Sequence, residues 1–192
     1  MQLSLSSRLS LNKPSFHAFS SPLTLLHPFL QKTPFAEKIS MAMTDAEYPR
    51  SIFIDTNILI YANLAESPFH ESAVAKVTSL DAAGTELWIS RQILREYLAA
   101  MSRPGNLTAP LPLTDLVRDV RYFESRFRIA EDSALVTAEL LDLLEQFLGG
   151  KQVHDANIVA TLRVHGIPRL LTHNVRDFNR FDKVIEVVPL QA

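Results

Sequence analysis

The stretch SIFIDTNILIYA, residues 51–62, decides the fold class of this chain. It places the apolar residues 52–54 directly before Asp55, and a second apolar run begins two residues later. This pattern predicts a buried strand that ends at Asp55 and a helix that begins near Thr56. Because a buried carboxylate without a partner costs free energy, the position of Asp55 requires an explanation.

The rest of the chain continues this alternation of short apolar strands and amphipathic helices. Strands are predicted at 51–54, 86–89, 128–130, 169–172 and 184–188. Further helices are predicted at 70–80, 91–101, 115–127, 134–148 and 153–165, with Ser90, Thr114 and Ser133 as N-caps and Gly84 as a C-cap. Strands that alternate with helices pair in parallel through right-handed crossovers. The sequence therefore predicts an α/β fold, a three-layer α/β/α sandwich with a central, mostly parallel sheet.

The first 47 residues differ in composition from the rest. Residues 1–36 contain no Asp or Glu, three basic residues and four prolines. This composition fits an organelle transit peptide. It equally fits an upstream stretch that is not translated and is included only because the start codon is wrongly placed, since Met41 and Met43 offer later starts. In both cases we expect residues 1–47 to be a disordered N-terminal extension and residues 48–192 to form the folded domain.

The composition excludes several classes of protein and site. With 192 residues, 47% of them apolar, the chain can bury the core of one ordinary domain. The absence of cysteine excludes disulfides and thiolate metal sites, and the six scattered histidines do not have zinc-site spacing. No apolar run is long enough to span a membrane, so no membrane partner is expected. A net charge of −2 means that nucleic-acid binding requires a local basic patch or a bound cation.

Acidic and carboxamide side chains gather at the carboxyl ends of the predicted strands. Asp55 ends the first strand, Glu96 lies two turns into the helix after the second, and Asp155 opens a later helix. Asn174 and Asp177 follow the fourth strand. Sites in open parallel sheets form at this edge. Since carboxylates repel one another unless a cation lies between them, and oxygen ligands suit Mg²⁺ or Mn²⁺, this placement predicts a metal site.

Each of these side chains also has a simpler explanation when it is taken alone. Asp55 and Asp155 are placed where helix caps occur, and Glu96 is placed where a surface glutamate occurs. Asp177 is expected to be structural, as a cap or as the ion-pair partner of a neighbouring arginine. Only their joint placement at one sheet edge favours a site over these separate explanations.

Three segments of the chain resemble the PIN-domain family: FIDTNILIYA, ISRQILREYLAA and VHDANIVATLRVHGIPRLLTHNVRDFNRF. Within that family they are most similar to the VapC-like toxic ribonucleases of toxin–antitoxin pairs. The order and spacing of the segments carry the resemblance, which covers residues 51–188. It implies a three-layer α/β/α fold and Mg²⁺- or Mn²⁺-dependent endonucleolytic cleavage of RNA.

The resemblance also implies roles for individual residues. It places the metal-binding acids at Asp55, Glu96 and Asp155, and a fourth catalytic position, acidic in many members, at Asn174. Thr172 matches the family's hydroxyl residue near the metal. A homodimer and a small antitoxin that blocks the site are further implications.

We therefore expect an endoribonuclease that hydrolyses RNA phosphodiester bonds as the toxin of a toxin–antitoxin pair. Thr172, Arg91, Arg95 and Arg176 are the candidates for contact with the substrate. The arginines of residues 118–128 are expected instead to be solvated. The aromatic residues of the same segment are expected to face the core or a dimer partner. The expected location is the cytoplasm, or an organelle if residues 1–47 are a transit peptide.

Three alternative functions remain open at this point. A non-catalytic PIN-fold module that binds RNA or protein would keep the fold and lose the chemistry. A phosphatase with an aspartate nucleophile usually has a D-x-D pair after its first strand, where this chain has D-T-N. A nuclease that acts on structured DNA would be separated from a ribonuclease by competition between RNA and DNA oligonucleotides.

Overall fold

The computed structural model describes residues 51–103, 111–147 and 152–191, which contain one parallel sheet. Its strands are β1 (Ser51–Ile54), β2 (Glu86–Ser90), β3 (Arg128–Ala130), β4 (Arg169–Thr172) and β5 (Glu186–Pro189). Their order across the sheet is β3-β2-β1-β4-β5, and every neighbouring pair is parallel. The predicted extension over residues 1–47 lies outside the described residues.

Seven helices in the described ranges connect these strands. They are α1 (Thr56–Asn63), α2 (His70–Ala82), α3 (Arg91–Met101), α4 (Leu113–Arg126), α5 (Ala134–Gln146), α6 (Val153–Val164) and α7 (Val175–Phe178), with a 3₁₀ turn at Asn179–Phe181. α1 packs against α2 and α3, and α5 packs against α6. The predicted parallel α/β/α sandwich is confirmed.

The strand order explains where a site can form. The chain runs outward from β1 through β2 to β3, and then returns to place β4 and β5 on the other side of β1. With right-handed crossovers, this reversal puts the helices of the two halves on opposite faces of the sheet. A crevice therefore opens beyond the carboxyl ends of β1 and β4. Both strands are buried, which fixes the floor of that crevice in the core.

Side-chain caps begin three of the helices. The carboxylate of Asp55 accepts a hydrogen bond from the backbone N–H of Thr56, and the hydroxyls of Ser90 and Ser133 cap α3 and α5. The prediction that Thr114 caps a helix is wrong, because α4 begins one residue earlier, at Leu113. Pro112 occupies the N-cap position, where its fixed φ of −58° directs the chain into the helix.

Two other boundaries differ from the prediction. The last strand begins at Glu186 instead of 184, because the backbone N–H groups of Val184 and Ile185 bond to the carbonyl of Phe181 in a turn. α2 continues to Ala82, and Gly84 follows it with a φ of +72°, a left-handed conformation that favours glycine. α5 ends at Gln146, with Phe147 as its C-cap, two residues before the predicted end at 148, and the glycines predicted to end it lie outside the described residues. Among the helices of the described ranges, none is long and apolar enough to cross a membrane.

Candidate active site

The predicted acids meet in one pocket at the carboxyl ends of β1 and β4, where the strand order reverses. The pocket has a volume of about 240 Å³. Its lining consists of Asp55, Thr56, Asn57, Ile60, Glu96, Asp155, Ile158, Asn174, Asp177 and Phe178. The structure therefore brings the four predicted catalytic positions together from β1, α3, α6 and the residues after β4.

Asp55 lies at the floor of the pocket and is only 6% exposed. Its Oδ1 accepts a hydrogen bond from the backbone N–H of Thr56 at 2.7 Å. Its Oδ2 accepts one from the hydroxyl of Thr172 and one from the Nδ2 of Asn57, both at 2.6 Å. The backbone N–H of Asp55 also donates to the carbonyl of Leu171, which continues the pairing of β1 with β4. The carboxylate is thus held rigidly, with one orientation.

Burial raises the pKa of Asp55 from 3.8 to about 6. Hydrogen bonds from Thr172 and from the Thr56 backbone lower this pKa, while the charges of Glu96 and Asp155 raise it. The ionised carboxylate is therefore disfavoured by its surroundings in the absence of a nearby positive charge. A cation in the pocket would remove this cost.

Glu96 reaches the pocket from the second turn of α3 and has both carboxylate oxygens bonded. Its Oε2 accepts a hydrogen bond from the hydroxyl of Thr56 at 2.7 Å, and its Oε1 accepts one from the Nε2 of Gln92 at 2.7 Å. The exposed His154 ring lies further away, with its Nδ1 3.7 Å from Oε1. Since each oxygen of an ionised carboxylate has two lone pairs, both retain one for a metal ion or a water molecule.

Asp155 lies in the first turn of α6 and is half-buried. Burial raises its pKa, the charge of Asp177 raises it further, and the charge of Arg180 lowers it. Asp177 was expected to be structural, but its side chain lines the pocket. It forms no ion pair with a neighbouring arginine in the described part of the chain. Asp177 is therefore a fourth carboxylate of the pocket.

Thr172 and Asn57 connect the ends of β1 and β4. The hydroxyl of Thr172 donates to Asp55 and accepts hydrogen bonds from the Nδ2 of Asn57 and the backbone N–H of Asn174, both at 3.0 Å. The Oδ1 of Asn57 accepts from the backbone N–H of His173 at 3.1 Å. Thr172 is fully buried, so the structure places it behind Asp55, while the exposed Asn174 lies at the rim.

The structure does not bring the three predicted substrate-binding arginines into the lining of the pocket. Arg91 pairs with Glu124 and with Glu131, and Arg95 lies 3.5 Å from the carboxylate of Asp132. Arg176 is exposed on α7. The first two are directed away from the pocket, because their acidic partners lie on α4 and directly after β3. Their contact with substrate stays a prediction.

A different arginine lies near the acids. The guanidinium of Arg180 stacks over the ring of Phe181 at 4.7 Å and donates to the carbonyl of Gln152 at 3.4 Å. Its Nε is buried and has no hydrogen-bond partner among the described residues. Its charge lowers the pKa of Asp155, which places it within electrostatic reach of the pocket.

The aromatic residues of 118–128 face the core, as predicted. Phe123 and Phe127 are buried, and Tyr122 packs against the same core. Three of the arginines there pair with acids, for example Arg128 with Glu86 at 2.8 Å, and Arg121 is exposed. This helix therefore does not present free rings to the pocket.

The donor set of the pocket fits Mg²⁺ or Mn²⁺. Its polar lining consists of four carboxylates, carboxamides and a hydroxyl, and no lysine or arginine of the described ranges lines it. Within those ranges, no three His, Asp or Glu side chains are grouped closely enough to enclose an ion by themselves. Mg²⁺ usually keeps several waters and binds through one or two carboxylates, so this looser arrangement suits an ion held partly through water.

Sequence reasoning missed three contributors to the site, Gln92, Asn157 and Asn57, and it assigned Asp177 a structural role. Asn57 and Asn157 stand two residues after Asp55 and Asp155, and Gln92 precedes Glu96 by one helical turn. This spacing around the three acids was the available signal. Asn57 bonds to Thr172 and Gln92 bonds to Asn157, and these partners are far apart in the sequence, so the spacing alone does not reveal the hydrogen bonds.

Comparison with known proteins identifies the fold family. The family model for the PIN domain matches residues 52–184, more than half of the chain. The chain belongs to the PIN-domain family. The pocket of this PIN domain lies inside the matched range, and so do all its lining residues.

Relatives and solved structures agree with this assignment. Ribonuclease VapC48 of Mycobacterium tuberculosis is 28% identical over 135 residues, which are 68% of this chain and 91% of that protein. The fold of this PIN domain matches a chain of a toxin–antitoxin complex from Klebsiella pneumoniae with a TM-score of 0.52 and 22% identity, over 72% of this chain and 97% of that one. It also matches VapC20 of M. tuberculosis, a toxin that cleaves the sarcin–ricin loop, with a TM-score of 0.50 and 17% identity, over 62% of this chain and 86% of that one.

Proposed function

We propose that this PIN domain is a Mg²⁺- or Mn²⁺-dependent endoribonuclease and the toxin of a toxin–antitoxin pair. The observation that carries the proposal is the pocket at the ends of β1 and β4, which is lined by Asp55, Glu96, Asp155 and Asp177 and by no basic residue of the described ranges. Similarity to a ribonuclease named VapC48 supports RNA as the substrate class. The non-catalytic alternative is not favoured, because a binding module has no need of four costly carboxylates.

The chemistry proposed is hydrolysis of a phosphodiester bond. These acids would hold a divalent ion, and that ion would supply Lewis acidity and an activated water at near-neutral pH. We assign Asp55 and Asp155 as the principal ligands and Glu96 as a ligand that acts directly or through water. Asn174, at the rim, orients a water or a phosphate oxygen.

The chain's own residues prepare the site for this reaction. Thr172, Asn57 and the Thr56 backbone hold the Asp55 carboxylate in one orientation, so little reorganisation is needed when an ion binds. Ile60, Ile158 and Phe178 form the apolar part of the wall and limit the access of bulk water.

A cationic side chain near the pocket is needed because the lining itself is acidic and repels phosphate. We assign this role to Arg180, whose guanidinium is half-buried, stacked on Phe181 and electrostatically coupled to Asp155. Arg176, exposed on the neighbouring turn, is a second candidate from the original set. Arg91 and Arg95 are less well supported, since acids already pair with them.

Partners follow from the same assignment. A cognate antitoxin is proposed because a structure of similar fold belongs to a toxin–antitoxin complex. A homodimer is also proposed, and it is supported by Leu113 and Val117, two exposed apolar side chains one turn apart on α4. We expect such a protein to meet RNA and antitoxin in the cytoplasm.

The test is cleavage of a set of structured and single-stranded RNA oligonucleotides by the purified full chain. We expect cleavage with Mn²⁺ or Mg²⁺, none with EDTA, and none by Asp55→Asn, a variant that keeps the size of the side chain. DNA oligonucleotides of the same sequence serve as competitors. Cleavage by Asp55→Asn at the wild-type rate, or equal cleavage with EDTA, would contradict the proposal.

A further inference from the structure

The side chain of Gln92 connects two of the acidic elements and has no role in the function proposed so far. It lies on α3, one turn before Glu96, and is only 7% exposed. Its Nε2 donates to the Oε1 of Glu96 at 2.7 Å and to the backbone carbonyl of His154 at 3.1 Å. Its Oε1 accepts from the Nδ2 of Asn157 at 2.7 Å. Both amide donors and the acceptor are therefore used.

These partners allow only one orientation of the Gln92 amide. The carboxylate of Glu96 and the carbonyl of His154 are acceptors, so they require the NH₂ group, whereas the Asn157 Nδ2 is a donor and requires the oxygen. Rotation of the amide by 180° would bring like groups together at all three contacts. The arrangement is thus specific for a carboxamide of this length.

The contacts join the two elements that carry Glu96 and Asp155. His154 and Asn157 belong to the first turns of α6 and flank Asp155 in the sequence. Gln92 therefore sets the position of α6 relative to α3 at the point where both deliver an acid to the pocket. Together with the hydroxyl of Thr56, it also fixes the rotation of the Glu96 carboxylate.

The neutrality of the Gln92 amide matters for the site. A lysine or arginine at this place would also orient Glu96, but it would neutralise the negative charge that attracts a divalent ion. An amide donor orients the carboxylate and leaves its charge unchanged. Outer-sphere partners of this kind typically alter metal affinity by about 10–100-fold when they are removed.

We propose that Gln92 is a positioning residue that holds Glu96 and the Asp155 helix in register for metal binding. This inference rests on the proposed function, and it assigns to Gln92 no contact with the substrate. Its effect is exerted through Glu96 and through the position of the Asp155 helix.

The test is Mn²⁺ binding to the full chain, measured by calorimetry without RNA, for wild type, Gln92→Met, Glu96→Gln and the double variant. Methionine keeps the length and helix propensity of glutamine and removes its hydrogen bonds. We expect Gln92→Met to weaken Mn²⁺ binding by about tenfold. In the Glu96→Gln background the same change should have a smaller effect, because Gln92 then acts only through the position of the Asp155 helix.

Tyr97→Phe is the matched control for the loss of a buried contact on the same helix. The hydroxyl of Tyr97 donates to Asp119 at 2.7 Å, away from the pocket. We expect this variant to lower stability without changing Mn²⁺ affinity. In RNA cleavage, Gln92→Met should lower kcat and leave KM for RNA within about twofold.

Three results separate the possible failures. If Gln92→Met binds Mn²⁺ as tightly as wild type and loses as much stability as Tyr97→Phe, the positioning role is overturned and the proposed function stays intact. Wild-type protein that gives no Mn²⁺ heat would overturn both. If Gln92→Met does not fold, Asn157→Ala frees the Gln92 amide from α6, and unchanged Mn²⁺ affinity in that variant would overturn the inference.

Discussion

The hydroxyl of Thr172 donates a hydrogen bond of 2.6 Å to the Oδ2 of Asp55, across 117 positions of sequence. This contact joins the ends of the two central strands, β1 and β4, at the floor of the acidic pocket. The same hydroxyl accepts hydrogen bonds from Asn57 and from the backbone of Asn174. Thr172 is therefore the point at which four polar groups of the site are fixed to one another.

Replacement of Thr172 by valine keeps the shape and removes the hydroxyl. Because the hydrogen bond from Thr172 lowers the pKa of Asp55, we expect that pKa to rise above its present value of about 6. The acidic limb of the pH–rate profile with Mn²⁺ should move to higher pH. Thr172→Ser keeps the hydroxyl and should retain the wild-type profile. An identical acidic limb in the valine variant would contradict a link between this hydroxyl and the titration of Asp55.

The raised pKa of Asp55 also predicts how stability depends on pH without metal. In the folded chain the group keeps its proton up to about pH 6, whereas its ordinary pKa is 3.8. The proton-bound form therefore stabilises the fold, and this contribution is lost as pH rises from about 4 to beyond 6. Two pKa units correspond to a loss on the order of 3 kcal/mol. The raised pKa of Asp155 acts in the same direction.

Thermal unfolding with EDTA or Mn²⁺, at about pH 5 and about pH 7.5, measures this effect. We expect Mn²⁺ to raise Tm more at the higher pH, where the ionised acids bind the ion and their repulsion is removed. In Asp55→Asn, the increase in Tm caused by Mn²⁺ should be nearly the same at both pH values. Equal Mn²⁺ shifts at both pH values would show that these acids do not titrate as described.

Removal of the Arg180 charge should weaken binding of RNA. With the non-cleaving Asp55→Asn variant as background, we expect Arg180→Gln to reduce RNA affinity by about tenfold and to reduce the salt slope of binding by about 1. Arg91→Gln is the matched control, because Arg91 is already paired with Glu124 and Glu131. If Arg91→Gln has the larger effect, the original expectation for Arg91 is correct and the assignment of Arg180 is wrong.

The Tyr97–Asp119 pair predicts a stability effect far from the pocket. Asp119 is fully buried, its Oδ2 accepts from Tyr97, and its Oδ1 has no hydrogen-bond partner among the described residues. Tyr97→Phe leaves the whole carboxyl group unpaired, which should lower the free energy of unfolding by about 1–3 kcal/mol. Asp119→Asn keeps an acceptor for Tyr97 and removes a carboxyl group whose pKa is raised by burial. The loss in free energy of unfolding, measured by urea titration at neutral pH, should therefore be smaller than that of Tyr97→Phe.

Much of the fold was predictable because its signals are local. The apolar run before Asp55 and the capping serines at 90 and 133 identify strands and helix starts within a few residues. The start of α4 was missed because a threonine is a common cap, whereas here Pro112 directs the chain into the helix. The start of β5 was missed because Val184 is as apolar as a strand residue, and only its bond to Phe181 places it in a turn.

The gathering of the acids at one pocket was predictable from topology, but the direction of each side chain was not. Arg91 precedes Glu96 by five residues, and yet it points toward Glu124 and Glu131, which are distant in sequence. Asp177 resembles an ordinary first-turn helix residue until Asp155 is placed beside it. Gln92 reaches the Asp155 helix only through His154 and Asn157, which are 62 and 65 positions later in the sequence.

The pairing of β1 with β4 has a consequence for protein synthesis. The ribosome makes residues 51–54 early and residues 169–172 more than a hundred residues later, so an emerging chain that lacks β4 has no Thr172 to orient Asp55 and no Asp177. The β1 carboxylate then lies at an unpaired strand edge with no enclosing wall. The acidic pocket of this PIN domain is therefore complete only after the last quarter of the chain, which supplies Asp155, Thr172 and Asp177, has been synthesised.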